Sequence, residues 1–207
     1  MGRTSDARER ILDSATALMQ LRGYTNTSLE DILNRAGVQK GSFYHFFESK
    51  QALGLAVLDR HFAYPREHLF RVFEGDAPPL EQVERFFRGT CDRVRRTTEA
   101  QGGVVCGCPF GNIALEMSTM DEALRRKVAG IFKAFQDRFR AALRRAVERG
   151  ELKPEADVDL LSARLVAYWE GAILLSKAHQ DADLYAHLIE GAMAVLAPYR
   201  RPARVDG

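Results

Sequence analysis

The sequence predicts an all-α protein, because apolar residues recur at helical spacing in successive segments and because capping residues, glycines and prolines bound those segments. With 207 residues, the chain can form one or two domains that need neither disulfides nor metals for stability. About nine helices are expected, over residues 8–22, 28–36, 39–47, 50–62, 80–99, 109–118, 121–149, 157–179 and 183–199.

The first predicted helix is amphipathic and follows a loose arm, residues 1–6. Its apolar face consists of Ile11, Ala15, Leu18 and Met19. Gly23 is expected to end this helix, which then supports the segment that follows it.

Residues 27–47 are predicted to form two short helices around a glycine turn, a helix-turn-helix. Thr27 and Glu30 have the spacing of a capping box, and Gly37 lies where the first helix needs a left-handed residue to end. The second helix is small and polar at its start and aromatic at its end, which suits a helix whose N-terminus meets a ligand. Its exposed edge is expected to consist of Gln39, Lys40 and Ser42, while Gly41 lets the backbone approach another surface closely.

The end of this second helix carries aromatic residues with two different expected tasks. Phe43 is expected to pack in the core or against a groove wall, whereas Tyr44 and His45 offer polar tips that suit a phosphate backbone. Ser49 is predicted to cap the next helix, which places Lys50 in a first turn that favours phosphate. The alternative is two packed helices with a purely structural role.

The segment GVQKGSFYHFFESKQAL resembles the signature of the TetR family of bacterial transcriptional repressors. The resemblance implies an all-helical homodimer, with an N-terminal three-helix DNA-binding domain and a larger helical domain that binds an inducer. The corresponding domains are residues 1–50, which bind operator DNA, and residues 51–207, which bind the effector and dimerise. The DNA-binding residues are then expected to be Thr27, Gln39, Lys40, Gly41, Ser42, Phe43, Tyr44, His45 and Lys50.

The middle of the chain is expected to connect these two domains. The helix that contains Lys50 is predicted to continue to Phe62 and to be interrupted at Pro65. By the resemblance, the tilt of this helix sets the separation of the two recognition helices in the dimer. Farther on, VVCGCPFGNIALEMS is less polar than a surface loop, so we expect it to be buried near the centre of the C-terminal domain, with Pro109 opening a short helix.

The last two predicted helices, 157–179 and 183–199, are apolar over a wide arc. Such helices need two partners each, and the second partner is expected to be the same pair in another subunit. The preceding helix, 121–149, has one apolar side, and its arginines are expected to face solvent. Residues 200–207 are expected to form a frayed tail.

The segment CGCPFGNIALEMS resembles a subgroup of these regulators, some of which sense electrophiles, oxidants or small unsaturated acids through a cysteine near this position. Cys108 precedes a helix start that can stabilise a thiolate, and Lys177 is a candidate neighbour by resemblance. The alternative is that the cysteines are small buried hydrophobes. The effector or redox candidates are Cys106, Cys108, Phe110, Glu116, Tyr168, Trp169 and Lys177, of which Glu116 is alternatively a helix-capping or salt-bridge partner.

Composition argues against several classes of protein. A net charge of +2 and a pI of about 8.5 do not by themselves indicate nucleic-acid binding, since the first fifty residues carry seven Lys and Arg against six Asp and Glu. No apolar run approaches the roughly 20 residues that span a bilayer, so no membrane partner and a cytoplasmic location are expected. The odd cysteine count fits a reducing compartment.

We therefore expect a DNA-binding regulator that is not an enzyme and that has no catalytic residues and no cofactor. No metal site is expected, because the five histidines show no paired spacing with the cysteines. The alternatives are a thiol-dependent enzyme that uses Cys106 or Cys108, which lacks an identifiable base, and a helical binding module.

Overall fold

A computed structural model describes residues 2–201, with side chains from residue 6 onward. Every named secondary-structure element in this range is a helix, which confirms the predicted all-α class. The α-helices are α1 Gly2–Arg22, α2 Leu29–Ala36, α3 Lys40–Phe46, α4 Lys50–Tyr64, α5 Pro79–Ala100, α6 Pro109–Met117, α7 Glu122–Glu148, α8 Val158–His179 and α9 Leu184–Ala194. Because α1 begins at Gly2, the prediction that residues 1–6 form a loose arm is wrong for residues 2–6; residue 1 lies outside the described range.

The chain divides into two compact units. The first takes the chain up to Tyr64 together with Cys108–Ile131, and the second takes Pro65–Gly107 together with the chain from Phe132 onward. The segment around Pro109 is buried as expected, but it packs with the first unit. The predicted division between residues 50 and 51 separates DNA binding from effector binding and dimerisation, not two packing units, so it stays a prediction.

The helix-turn-helix begins one residue later than its sequence pattern indicates. The Ser28 side chain accepts the Asp31 N–H at 3.0 Å, and the Asp31 carboxylate accepts the Ser28 N–H at 3.2 Å. This capping box replaces the predicted pair Thr27 and Glu30, because the Thr27 hydroxyl donates to the Gly23 carbonyl instead. At the C-terminal end of α2, Gly37 adopts φ 62°, which confirms the predicted left-handed residue that ends this helix.

Proline positions decide two other helix boundaries. As predicted, the helix that starts at Lys50 is interrupted at Pro65, where one π-helical turn, Pro65–Leu69, and a 3-10 turn, Phe70–Phe73, replace it. The predicted last helix, 183–199, is too long, since α9 ends at Ala194. Pro198 disfavours the α conformation of the residue before it, and Ala197–Tyr199 forms a 3-10 turn.

The chain after this turn is also more ordered than the sequence indicates. Arg200 forms an antiparallel bridge with Leu152, and the Arg201 N–H donates to the Glu151 carbonyl at 3.0 Å. The predicted frayed tail is therefore wrong for residues 200 and 201. Residues 202–207 lie outside the described range.

An aromatic cluster forms the core of the second unit. Phe86 is fully buried at its centre, and its ring lies 4.8 Å from the Phe139 ring and 5.7 Å from the Trp169 ring. Edge-to-face pairs of this kind add stability beyond the area that they bury. The other rings of the cluster are Phe73, Phe87 and Phe135.

Candidate functional site

Helix α3 has one buried face and one exposed polar face. Phe43 is fully buried and Phe47 nearly so, and their rings stack 5.8 Å apart, which anchors the helix. The other predicted DNA-binding residues of this helix and its N-cap are all exposed, namely Gln39, Lys40, Gly41, Ser42, Tyr44 and His45. The structure therefore brings these predicted site residues together on one surface, while Phe43 supports them from below.

Lys50 lies beside this helix, in the first turn of α4, and is held in place. Its Nζ donates to the Tyr24 carbonyl at 2.8 Å and lies 4.5 Å from the centre of the Tyr24 ring. Burial lowers the pKa of the Lys50 ammonium, and the nearby charge of Glu116 opposes that effect. Since an ammonium has three N–H donors, two of them are left for another acceptor. Ser49 caps α4 as predicted, with its Oγ accepting the Ala52 N–H at 3.0 Å.

Thr27 lies beneath the surface and contributes to the packing of the turn before α2. Its side chain is fully buried, and its hydroxyl donates to the Gly23 carbonyl at 2.7 Å. Sequence reasoning assigned Thr27 both to the cap of α2 and to phosphate. It missed the neighbouring Ser28, which is exposed and forms the cap. The signal was present, because Ser28 and Asp31 have the capping-box spacing as well as Thr27 and Glu30.

The effector candidates fall into both units. Cys106, Tyr168, Trp169 and Lys177 belong to the second unit, whereas Cys108, Phe110 and Glu116 belong to the first. Phe110 packs against the Phe62 ring at 6.1 Å, and Cys108 occupies the N-cap of α6 without making a side-chain capping bond there.

Cys106 and Cys91 each have a nearby cation whose charge opposes the effect of burial on the thiol pKa. Burial raises the pKa of the Cys106 thiol, and the charge of Lys177 opposes this. Burial also raises the pKa of the Cys91 thiol, and the charge of Arg95 opposes this. All three cysteines are free and buried. The sequence indicates Cys108 as the reactive thiol because of its helix start, whereas Lys177, the predicted neighbour of a reactive cysteine, acts on Cys106.

The segment before Cys106 is fixed by a residue that sequence reasoning missed, Gln180. Its amide accepts the Val105 N–H and donates to the Val105 carbonyl, both at 3.1 Å, and also donates to the Lys177 carbonyl at 2.8 Å. Gln180 ends α8 with φ 51°, the only positive φ of a non-glycine residue in the described range. Because glycine suits this conformation better, the choice of Gln points to the value of its side-chain contacts.

Buried polar groups lie in the second unit around Tyr168 and Trp169. The Tyr168 hydroxyl donates to the Leu188 carbonyl at 2.7 Å, whereas the buried Trp169 Nε1 meets no hydrogen-bond acceptor among the described residues. Burial raises the pKa of the Tyr185 phenol well above its ordinary value. A buried indole N–H of this kind suits a ligand that carries an acceptor oxygen.

Two features are absent from the described residues. No described helix is long and apolar enough to cross a membrane. From residue 6 to residue 201, no group of His, Cys, Asp and Glu side chains is arranged to hold a metal ion.

Comparison with known proteins identifies both parts of the chain. Residues 11–57 match the family model described as bacterial regulatory proteins, tetR family, and residues 79–192 match the tetracyclin repressor-like C-terminal domain. The chain is 29% identical over 199 residues, 96% of each protein, to the HTH-type transcriptional repressor DhaR of Mycobacterium sp. strain GP1. It is 32% identical over 163 residues, 78% of this chain and 72% of the relative, to the transcriptional regulator AcuR of Cereibacter sphaeroides.

A solved structure gives the same assignment. The crystal structure of the reduced form of Escherichia coli NemR superposes with a TM-score of 0.79 at 28% identity, covering 96% of this chain and 99% of that one. These similarities point to regulators of transcription and not to an enzyme.

Proposed function

The chain belongs to the TetR family of bacterial regulatory proteins, and we propose that it is a homodimeric repressor whose α3 helices read a palindromic operator until an effector releases them. Residues 1–50 carry the DNA contacts, and residues 51–207 carry dimerisation and effector binding. Because its partner is chromosomal DNA, the protein works in the cytoplasm.

The observation that carries this proposal is the division of α3 into a buried anchor and an exposed polar edge. Phe43 is fully buried, whereas Gln39, Lys40 and Ser42 are exposed and have no structural need to be polar. A recognition helix presents such side chains to base edges in the major groove. Gly41 lets the backbone approach the DNA, and a helical binding module without this function would not require that arrangement.

Phosphate contacts orient the helix on the duplex. Tyr44 is 56% exposed and carries a hydroxyl that suits a phosphate oxygen, and His45 is exposed beside it. Lys50 has donors left for a phosphate at the positive end of α4. Thr27 acts in this proposal through the Gly23 carbonyl, by fixing the turn that precedes Ser28.

Dimerisation through α8 and α9 is supported by an exposed apolar stripe. Leu160, Ala167 and Leu174 are exposed on α8 at intervals of seven residues, which places them on one side of the helix. Leu175 lies next to this stripe and is 48% exposed. A second copy of the pair covers these residues and forms a four-helix interface with two-fold symmetry.

Replacing Leu174 and Leu175 with Glu is expected to yield a monomer that no longer binds the operator. The interface would have to bury four unpaired carboxylates, each costing several kcal/mol. Sedimentation velocity measures the change. The matched control is Leu115→Glu on α6, where the leucine is 75% exposed. A Leu174→Glu, Leu175→Glu protein that remains dimeric would place the interface elsewhere.

The effector acts, in this proposal, in the second unit at Cys106. For an α,β-unsaturated carbonyl compound, the Cys106 Sγ forms a bond to the β-carbon, and the α-carbon takes up the proton that the thiol gives up. Lys177 favours the thiolate, and Gln180 holds the neighbouring backbone. The Trp169 Nε1–H offers a hydrogen bond to the oxygen of such a compound, and the Tyr168 hydroxyl, which already donates to the Leu188 carbonyl, lies on the neighbouring residue. Since Cys106 is 4% exposed, the reaction requires a local opening.

Cys106→Ser is therefore expected to abolish release from the operator by N-ethylmaleimide, whereas Cys108→Ser and Cys91→Ser keep it. The raised pKa of the Cys106 thiol means that the protonated form dominates at neutral pH and that the modification rate rises with pH toward that pKa. Intact-mass measurements and a gel shift on the same samples check both statements. If Cys106→Ser still responds and Cys108→Ser does not, the assignment passes to Cys108.

A further inference from the structure

Glu116 lies in an apolar segment near the C-terminal end of α6, but its carboxylate accepts hydrogen bonds from a turn far away in the sequence. Its Oε2 accepts the Thr25 N–H at 2.7 Å, and its Oε1 accepts the Tyr24 N–H at 3.2 Å. The carboxylate therefore binds the turn between α1 and α2. The contact also explains Gly23, since a Cβ there would lie 2.4 Å from the Glu116 Oε1.

The peptide groups on either side of Tyr24 are bound from two directions. The Tyr24 N–H donates to Glu116, while the Tyr24 carbonyl accepts the Lys50 ammonium at 2.8 Å. The Tyr24 ring is itself confined, because a Cβ at Gly54 would lie 2.7 Å from it. Helix α6, the turn before α2 and the first turn of α4 thus meet at one residue.

From this arrangement we infer that Glu116 is a positioning residue for DNA binding: it fixes Tyr24 so that the Tyr24 carbonyl holds Lys50 ready for a phosphate. The inference rests on the proposed phosphate contact of Lys50. A lysine side chain that is already ordered loses less conformational freedom when it binds, so the contact strengthens DNA affinity. Any shift of α6 that withdraws Glu116 then releases Lys50.

The sign of the effect separates this role from simple electrostatics. Glu116 is an anion in a DNA-binding unit, so loss of its charge alone would tighten binding to the DNA polyanion. Loss of a positioning contact weakens binding instead. The matched control is Glu122→Ala, which removes the same charge from the same unit at an exposed position in the first turn of α7.

The test is a double-mutant cycle, measured as operator affinity by fluorescence anisotropy at low salt, where weak variants still bind. We expect Glu116→Ala to weaken binding about tenfold in the natural chain and less than about twofold in a Lys50→Ala background. Glu116→Gln, which keeps an oxygen acceptor for one of the N–H groups, is expected to lose about threefold. Circular dichroism melts check that each variant is folded.

Two results would overturn the positioning role. One is a Glu116→Ala effect of equal size in both backgrounds, and the other is an affinity no weaker than that of Glu122→Ala. If Lys50→Ala itself binds the operator like the natural chain, the proposed phosphate contact fails, and this inference fails with it. If Lys50→Ala weakens operator binding but the effect of Glu116→Ala is independent of it, the phosphate contact of Lys50 stands and only the positioning role of Glu116 fails.

Discussion

Replacing both Tyr44 and Lys50 with alanine is expected to reduce operator binding to the background level of non-specific DNA. Each charged hydrogen bond to phosphate contributes about 1.5 kcal/mol, and a dimer makes two copies of both contacts. The loss is then roughly 6 kcal/mol, or about 10⁴-fold in the dissociation constant. Because the dimer loses one Lys50 from each subunit, the slope of log affinity against log salt should also become less steep by about 1.8.

The fold should survive this double substitution, so the loss reports on DNA contact alone. Tyr44 is mostly exposed, and the Tyr24 carbonyl that Lys50 leaves still accepts the Thr27 N–H at 3.4 Å. Lys133→Ala is the matched control, since Lys133 is an exposed lysine on α7 in the second unit. Nearly unchanged affinity in the Tyr44→Ala, Lys50→Ala protein would contradict the assignment of α3 and α4 as the DNA-binding surface.

Phe86→Ala is expected to be the most destabilising single substitution in the aromatic cluster of the second unit. Phe86 is fully buried, and five neighbouring rings lie within 4.8–6.0 Å of it. Truncation of a buried phenylalanine costs about 3–5 kcal/mol, which is a large part of the stability of an ordinary domain. The midpoint of urea unfolding at fixed protein concentration measures this loss.

Met120→Ala provides the comparison for this experiment, because Met120 is 74% exposed and its truncation should change the free energy of unfolding by less than about 0.5 kcal/mol. A Phe86→Ala midpoint close to that of Met120→Ala would show that the cluster does not form the core of this unit.

Much of the fold follows from local sequence signals. Gly37 and Gly23 end helices because only a residue that tolerates positive φ fits there, and both signals are visible in the sequence. Pro65 interrupts a helix for an equally local reason. The exposed polar edge of α3 could be predicted because its polar start and aromatic end follow one another within a single short helix.

The remainder depended on contacts between distant parts of the chain. Nothing near Glu116 in the sequence indicates that its carboxylate binds the turn at Tyr24, which lies 92 residues earlier. Gln180 similarly fixes Val105 across 75 residues. Thr27 does not form the predicted capping box, because two possible capping boxes overlap in the sequence and the bond of Thr27 to Gly23 decides between them. Spacing within one segment does not resolve such choices.

The measurement that tests the central claim most directly is a binding titration of the natural chain on DNA from upstream of its own gene. The competitor is a scrambled duplex of the same length and composition, at a fixed salt concentration, because phosphate contacts alone bind any sequence. We expect one dimer to bind the upstream DNA at least about 10³-fold more tightly than the scrambled duplex. Equal affinity for the two duplexes would contradict sequence-specific recognition by α3.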